Sequence, residues 1–377
     1  MILYRTPRGR PVENFSNAQA DMLRFCPHKY ILSRHLGLGP AKTDANLHFG
    51  NCAEEAIRTY HRAGLSPVQM FESLWEAAVR EHGQTINWEG WKTPETLSVA
   101  GANLMRAYLH SHARLGIRRA TFFTYAEREQ FTRDIGVELQ SVPDCIDDPE
   151  PHPRWGAGPR VIDIKCPDSS PSLPCDGMAA LDEQLRAYSY TTGLRRVALL
   201  LLIKGNPDSE PKAGSTRTYL GPSKELLGRQ VRVIEATKKT GTVVQLTENG
   251  GALGVPFAPE PGSIANVRLV LIEGSVTEEA AEATARSLRE EAERQARRWS
   301  AYESELEQLD TDQSSISYAE FEQRRRSLLR RNFPQRPGFR FPNDRCSWCE
   351  MLGECLDRPD ISAERLVRID EKWLEEL

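Results

Sequence analysis

The sequence predicts an α/β protein, a mixed sheet with helices packed on its faces. Three observations carry that expectation. Apolar residues recur at helical spacing through about residue 115. Two short apolar runs, Arg160 to Lys165 and Arg196 to Lys204, have the length and composition of buried strands. A helical pattern separates those runs, and the order helix, hairpin, strand, helix, strand is that of a layered α/β core.

Asn17 to Leu36 reads as the first helix, capped by Ser16 and striped by Met22, Leu23, Phe25 and Cys26. A second runs from near Leu47 to about His61. Phe49, Ala53, Ile57 and Tyr60 share one of its faces, and Gly64 stops it. Two more helices are expected at about 67–82 and 94–115. Thr121 to Thr132 and Gly136 to Ile146 then read as a hairpin. The strand RVIDIK, Arg160 to Lys165, lies between turn-rich segments, and a helix at about Asp176 to Thr192 leads to the strand Arg196 to Lys204. At about 222–262 apolar residues alternate between Gly and Asn turns, which predicts a small inserted antiparallel barrel of the KOW kind. The remainder, about 1–221 and 263–377, forms the main domain. It resumes with the strand Asn266 to Glu273, a long charged helix from about Thr277 to Leu309, and a tail rich in Pro, Phe and Cys.

Composition narrows the function. The chain has 377 residues, 39% of them apolar and 27% charged, as in globular domains. Its net charge of −4 means that a nucleic acid would be held by local basic patches, not by the overall field. The densest patch is Arg324, Arg325, Arg326, Arg330 and Arg331, whose plain reading is a solvated helix face. No run approaches the roughly 20 apolar residues of a membrane span. The first residues also lack a signal-peptide core. A cytoplasmic location (the host's, for a phage-encoded chain) and no membrane partner are therefore expected. The absence of G-x4-G-K-[ST] argues against a nucleotide-driven motor in the same chain.

The chemistry centres on Pro143-Asp144 and Asp163-Ile164-Lys165. The hairpin and the following strand would bring the two aspartates to one end of a sheet. Paired carboxylates there suit a hard divalent cation, Mg²⁺ or Mn²⁺. Such an ion polarises a phosphoryl oxygen and acidifies water. Asp163 and Lys165, two apart on a strand, face the same side, so the lysine can orient the nucleophile or balance charge on the phosphate. A lone D-x-K is often a surface ion pair, but here it interrupts an apolar strand, where an unpaired charge is costly. Gln184 and Tyr188, four apart on the next helix, can hold a nucleotide beside the metal or simply cover a helix surface. Glu54 is a candidate third acidic ligand, with an ordinary solvent-facing glutamate as the alternative.

Eight cysteines are present. Cys346-x2-Cys349-x5-Cys355 is spaced for metal ligation and needs a fourth ligand, for which Cys26 is best placed. A four-cysteine zinc site and a cubane cluster both satisfy that spacing. Cys52 and Cys145 read as small buried residues.

Taken together, the segments Ser16 to Tyr30, Phe49 to Glu54, Val142 to Ile146, Val161 to Lys165, Gln184 to Tyr188 and Cys346 to Cys355 resemble the RecB-type branch of the PD-(D/E)XK nucleases. That branch includes the CRISPR-associated iron–sulfur exonucleases and the AddB nuclease domain. The resemblance implies a restriction-endonuclease-like mixed sheet flanked by helices, with an iron–sulfur staple. It implies that Asp144 and Asp163 ligate Mg²⁺ or Mn²⁺, assisted by the main-chain carbonyl of Ile164, and that Lys165 is the catalytic lysine. Gln184 and Tyr188 match a Q-x3-Y motif associated with DNA. Cys26, Cys346, Cys349 and Cys355 match the ligands of a 4Fe–4S cluster. One departure stands out: the family usually has a histidine where this chain has Glu54, and His48 is the less suitable replacement. The expected activity is exonucleolytic cleavage of single-stranded DNA or duplex ends, alone or with recombination or CRISPR-type protein partners. The alternatives are a non-cleaving DNA-end-binding subunit and a structural zinc protein.

Overall fold

A computed structural model describes residues 4–368 apart from 6–10, 13, 35–37, 118–119, 125–126, 128–130, 170–174, 238–240, 249–250, 312–315, 335–338, 341–342, 345–348, 350, 352–354 and 356–365. The first expected helix is two. Helix α1 (Asn17–Phe25) is capped by Ser16 and ends at Cys26, which is extended at φ −160° and ψ 108°. Helix α2 (Pro27–Arg34) follows at once. The break is local chemistry: Pro27 has no N–H to continue the ladder and pushes the residue before it out of the helical region.

Helix α3 (Ala45–Ala63) begins at Asp44, whose side chain accepts from the Asn46 amide, and ends at Gly64 with φ 68°. Helices α4 (Pro67–His82) and α5 (Pro94–Ser111) open on capped prolines. These three helices cover one face of a five-stranded sheet. Its strands are β1 (Thr121–Phe122), β2 (Cys145–Asp147), β3 (Arg160–Lys165), β4 (Arg196–Lys204) and a fifth at Val267–Ser275. The spatial order is fifth strand, β4, β3, β2, β1; β3 and β4 are parallel and the other pairs antiparallel. Side chains alternate across it. Ile162, Ile164, Leu200 and Leu202 meet Phe49, Trp75, Leu104 and Tyr108 of the helices. Gly101 on α5 lets Phe71 of α4 lie against its backbone, since a Cβ there would come within 2.0 Å of the ring. On the opposite face Val161, Val197 and Leu201 pack against Leu185 and Tyr188 of α6 (Glu183–Thr192), the crossover helix.

Among the described residues the long expected hairpin before β2 is broken up: Thr121–Phe122 pairs with β2, and a separate small hairpin joins Thr132–Asp134 to Glu138–Gln140. Pro143 cannot donate to a ladder, which agrees with the interruption just before Asp144.

A second sheet replaces the expected barrel. Strands β5 (Thr216–Tyr219), β6 (Gln230–Thr237), β7 (Gly241–Glu248), β8 (Gly251–Phe257) and β9 (Ile264–Ala265) pair in the order β8, β7, β6, β5, β9. Among the described residues its two edge strands do not pair with each other, so the sheet is open. It extends beyond 222–262 on both sides. Strand β10 is the Val267–Ser275 strand of the first sheet, and the two sheets are joined there: Thr218 Oγ1 donates to the Val267 carbonyl at 2.5 Å and Gln230 Nε2 to that of Leu269 at 2.6 Å.

Helices α7 (Glu278–Thr311) and α8 (Tyr318–Asn332) pack with α1 and α2 around a second core of Leu23, Tyr30, Leu288, Trp299, Leu329 and Phe333. The basic patch on α8 is answered by acids. Arg324 pairs with Glu320 at 2.6 Å, Arg325 with Glu322 at 3.0 Å and Arg331 with Glu305 at 2.5 Å. No described helix is long and apolar enough to cross a membrane.

Candidate active site

Strands β2 and β3 set Cys145 opposite Ile162 and Ile146 opposite Val161. Extending that register by one residue sets Asp144 opposite Asp163. Asp144 Oδ2 accepts the Ile164 amide at 2.6 Å. Asp163 is 1% exposed. The half-exposed Lys165 turns back over it: its ammonium donates to Asp163 Oδ1 at 3.1 Å and lies 2.9 Å from Oδ2. Oδ2 is buried, and the Lys165 ammonium is the charge it faces. Lys165 also donates to Gln184 Oε1 at 3.2 Å, and Gln184 Nε2 donates to the Tyr188 hydroxyl at 2.5 Å. Gln184 and Tyr188 face β3 because Asp182 caps α6 by accepting from the Leu185 amide, fixing where its first turn starts. Asp163, Lys165, Gln184 and Tyr188 thus form one continuous string.

Glu54 comes to the same place from α3. Burial raises its pKa; the Arg58 charge opposes that rise, and repulsion from Asp163 adds to it. Arg58 Nη1 stands 3.9 Å from Glu54 Oε1. Asp144 is pushed up to about 7 by burial and then by Glu54, and Asp163 to about 7 by burial and then by Asp144. Burial works against the charge of Lys165, but Asp163 and Asp144 hold its ammonium above the usual lysine range. Three carboxylates therefore repel one another in a largely dehydrated place with one lysine among them.

Among the described residues, no three His, Cys, Asp or Glu side chains stand at metal-ligating separation. The Ile164 amide and the Lys165 ammonium hold the two aspartates instead. The donor set nonetheless fits a hard divalent cation. It is all oxygen, it is repulsive without a cation, and it includes a buried carboxylate oxygen, Asp163 Oδ2, that is met by the Lys165 ammonium. The Ile164 peptide lies between the two aspartates, its N–H spent on Asp144.

The model of the PD-(D/E)XK nuclease superfamily matches residues 14–355. The chain belongs to that superfamily. Its members are metal-dependent nucleases, and Asp144, Asp163 and Lys165 supply the pattern for which the superfamily is named. No curated protein and no solved structure matches the chain significantly.

Other candidates lie elsewhere. His48 is bonded to Thr43 Oγ1 at 2.7 Å and stacked on His82 at 5.2 Å. Cys52 and Cys145 are buried among apolar residues. Of the expected cluster ligands, Cys346 lies outside the described residues. Cys26 is half-buried at the end of α1, and Cys349 packs at the edge of the core that includes Met22 of that helix. The Cys355 amide bonds to the Met351 carbonyl at 3.1 Å. Three groups were missed by sequence reasoning. Arg58 was detectable as the i+4 neighbour of Glu54, and Asp182 as a helix cap two residues before Gln184. Lys204 gave no signal, because it reads as the polar end of an apolar strand.

Proposed function

We propose that the chain is a Mg²⁺- or Mn²⁺-dependent DNA exonuclease. The observation that carries this is the string from Asp163 through Lys165 and Gln184 to Tyr188, beside Asp144 and Glu54. Glu54, Asp144, Asp163 and the Ile164 carbonyl would hold the cation. When bound, it supplies Lewis-acid activation of the phosphate and of water. Lys165 balances the negative charge that grows on the scissile phosphate. It is half-exposed and can leave Asp163 for that group at little cost. Gln184 fixes the direction of the lysine, and Tyr188 fixes Gln184. The exposed side of Lys165 is where a DNA strand would be cut.

The same reading includes a 4Fe–4S cluster on Cys26, Cys346, Cys349 and Cys355, tying α1 to the C-terminal segment. Its support is the 1+3 cysteine spacing and the packing of Cys349 against the core to which Leu23 of α1 contributes. The region 222–262 would act as an accessory surface for nucleic acid or for a recombination or CRISPR-type partner. The test is incubation of anaerobically purified protein with end-labelled single- and double-stranded DNA and either Mg²⁺ or Mn²⁺. Release of mononucleotides or short products from ends supports an exonuclease. Tight end binding without products would favour a non-cleaving DNA-end-binding subunit instead.

A further inference from the structure

Lys204 ends β4 on the face that carries Ala198, Leu200 and Leu202 toward α3. Its side chain is completely buried. An ammonium in such a place is costly unless it is paired and hydrogen-bonded. Lys204 meets three partners. It donates to the Cys166 carbonyl, pairs with Asp168 Oδ1 at 3.1 Å, and lies 4.9 Å from the centre of the Phe49 ring. Its own amide also donates to the Pro167 carbonyl at 3.1 Å. Asp168 is held a second time by Lys92 at 2.8 Å.

These partners belong to two pieces of the candidate site. Cys166, Pro167 and Asp168 are the turn that leaves β3 directly after Lys165. Phe49 lies on α3, just over a turn before Glu54. A leucine or methionine at 204 would fill the same space without the burial cost, so packing alone does not account for a lysine. We propose that Lys204 is a positioning residue for the metal site, pinning the exit of the Asp163–Lys165 strand against the helix that carries Glu54. The inference rests on the metal-dependent nuclease reading. It adds the group that would set the spacing between Glu54 and the two aspartates.

For Lys204, charge and position predict opposite signs, which makes the proposal testable. Removing a cation near a cation site should, by field alone, tighten binding of a divalent ion. Loss of positioning should weaken it. The experiment is titration of the 377-residue chain with Mn²⁺ alone, free Mn²⁺ being read by electron paramagnetic resonance. Wild type, Lys204→Met and Asp168→Asn are compared, with unfolding followed by circular dichroism. Lys204→Met is expected to bind Mn²⁺ about tenfold or more weakly while melting cooperatively, a loss typical of groups that orient ligands from behind. Asp168 is at the surface, so Asp168→Asn keeps the test alive should Lys204→Met not fold. It is expected to weaken binding several-fold. Unchanged or tighter binding in the folded Lys204→Met protein, or in Asp168→Asn should it alone fold, overturns the proposal and leaves the metal site standing. No Mn²⁺ binding by wild type removes the metal site, and this proposal with it.

Discussion

Neutralising Asp163 should stabilise the metal-free protein, increasingly so as pH rises from about 4 to about 7. The carboxyl is buried, and burial followed by Asp144 lifts its pKa from 3.8 to about 7. The folded chain therefore keeps a proton that the unfolded chain gives up between those values. Stability falls as pH rises through that window, and the full penalty stands above about 7. At about 1.4 kcal/mol per pH unit, the rise from 3.8 to about 7 is an upper bound of about 4 kcal/mol. Asp144 and Asp163 share the repulsion, so the figure is counted once for the pair. Asp163→Asn removes the charge and keeps the shape. Urea unfolding in chelator should find the variant close to wild type near pH 4 and more stable by about 1–4 kcal/mol at pH 8. Added Mn²⁺ should then stabilise wild type and leave the variant nearly unmoved. A variant that is destabilised equally at both pH values would refute the argument. It would mean that Asp163 is held by its partners more than it is penalised by burial.

Further outcomes follow from other parts of the molecule. Arg160 is buried, bonded to Asp147 at 3.0 and 2.6 Å and to Glu273 at 2.6 Å. Asp147→Asn should therefore cost about 3–5 kcal/mol in urea unfolding by leaving a buried cation half paired. A loss below about 1 kcal/mol would show that Glu273 suffices. Gln184→Ala should lower the cleavage rate about tenfold or more by freeing Lys165, measured under single turnover; an unchanged rate would show that Lys165 needs no support from α6. Cys26→Ser and Cys349→Ser should each lose iron and melt at lower temperature, and retention of full iron content in either would remove the cluster. Deleting 222–262 should expose β5 and leave the Leu269 carbonyl without the Gln230 amide that it accepts from, with a fall in melting temperature; an unmoved melting temperature would mark the segment as independent.

Much of this architecture is legible in the sequence because it rests on local rules. The bounds of β3 and β4 follow from apolar runs between turns, and α3 from its stripe and its Gly64 stop. The pairing of Asp144 with Asp163 is legible because strand order and alternation leave few alternatives. What failed depends on single residues or on distance. Pro27 splits the first helix, a rule read too weakly beside a strong apolar stripe. The alternation at 222–262 reports strands but not closure, since an open sheet and a barrel share the same period. The role of Lys204 depends on Phe49 and on Cys166, 155 and 38 positions away, which no local pattern connects. The basic patch of α8 keeps its plain reading as a solvated helix face: Glu320 and Glu322 on its own helix, with Glu305 of α7, take up much of its charge.

The most direct measurement of the central claim is cleavage of end-labelled DNA by wild type and Lys165→Ala in Mn²⁺, with Mn²⁺ binding measured on the same preparations. Lys165 is half-exposed and contacts Asp163 and Gln184, so its loss should leave the fold and the carboxylates in place. The account predicts that wild type degrades DNA from its ends, while Lys165→Ala binds Mn²⁺ at least as tightly and cuts at least a thousandfold more slowly, a loss of about 4 kcal/mol of transition-state stabilisation. Cleavage by Lys165→Ala at the wild-type rate would contradict it.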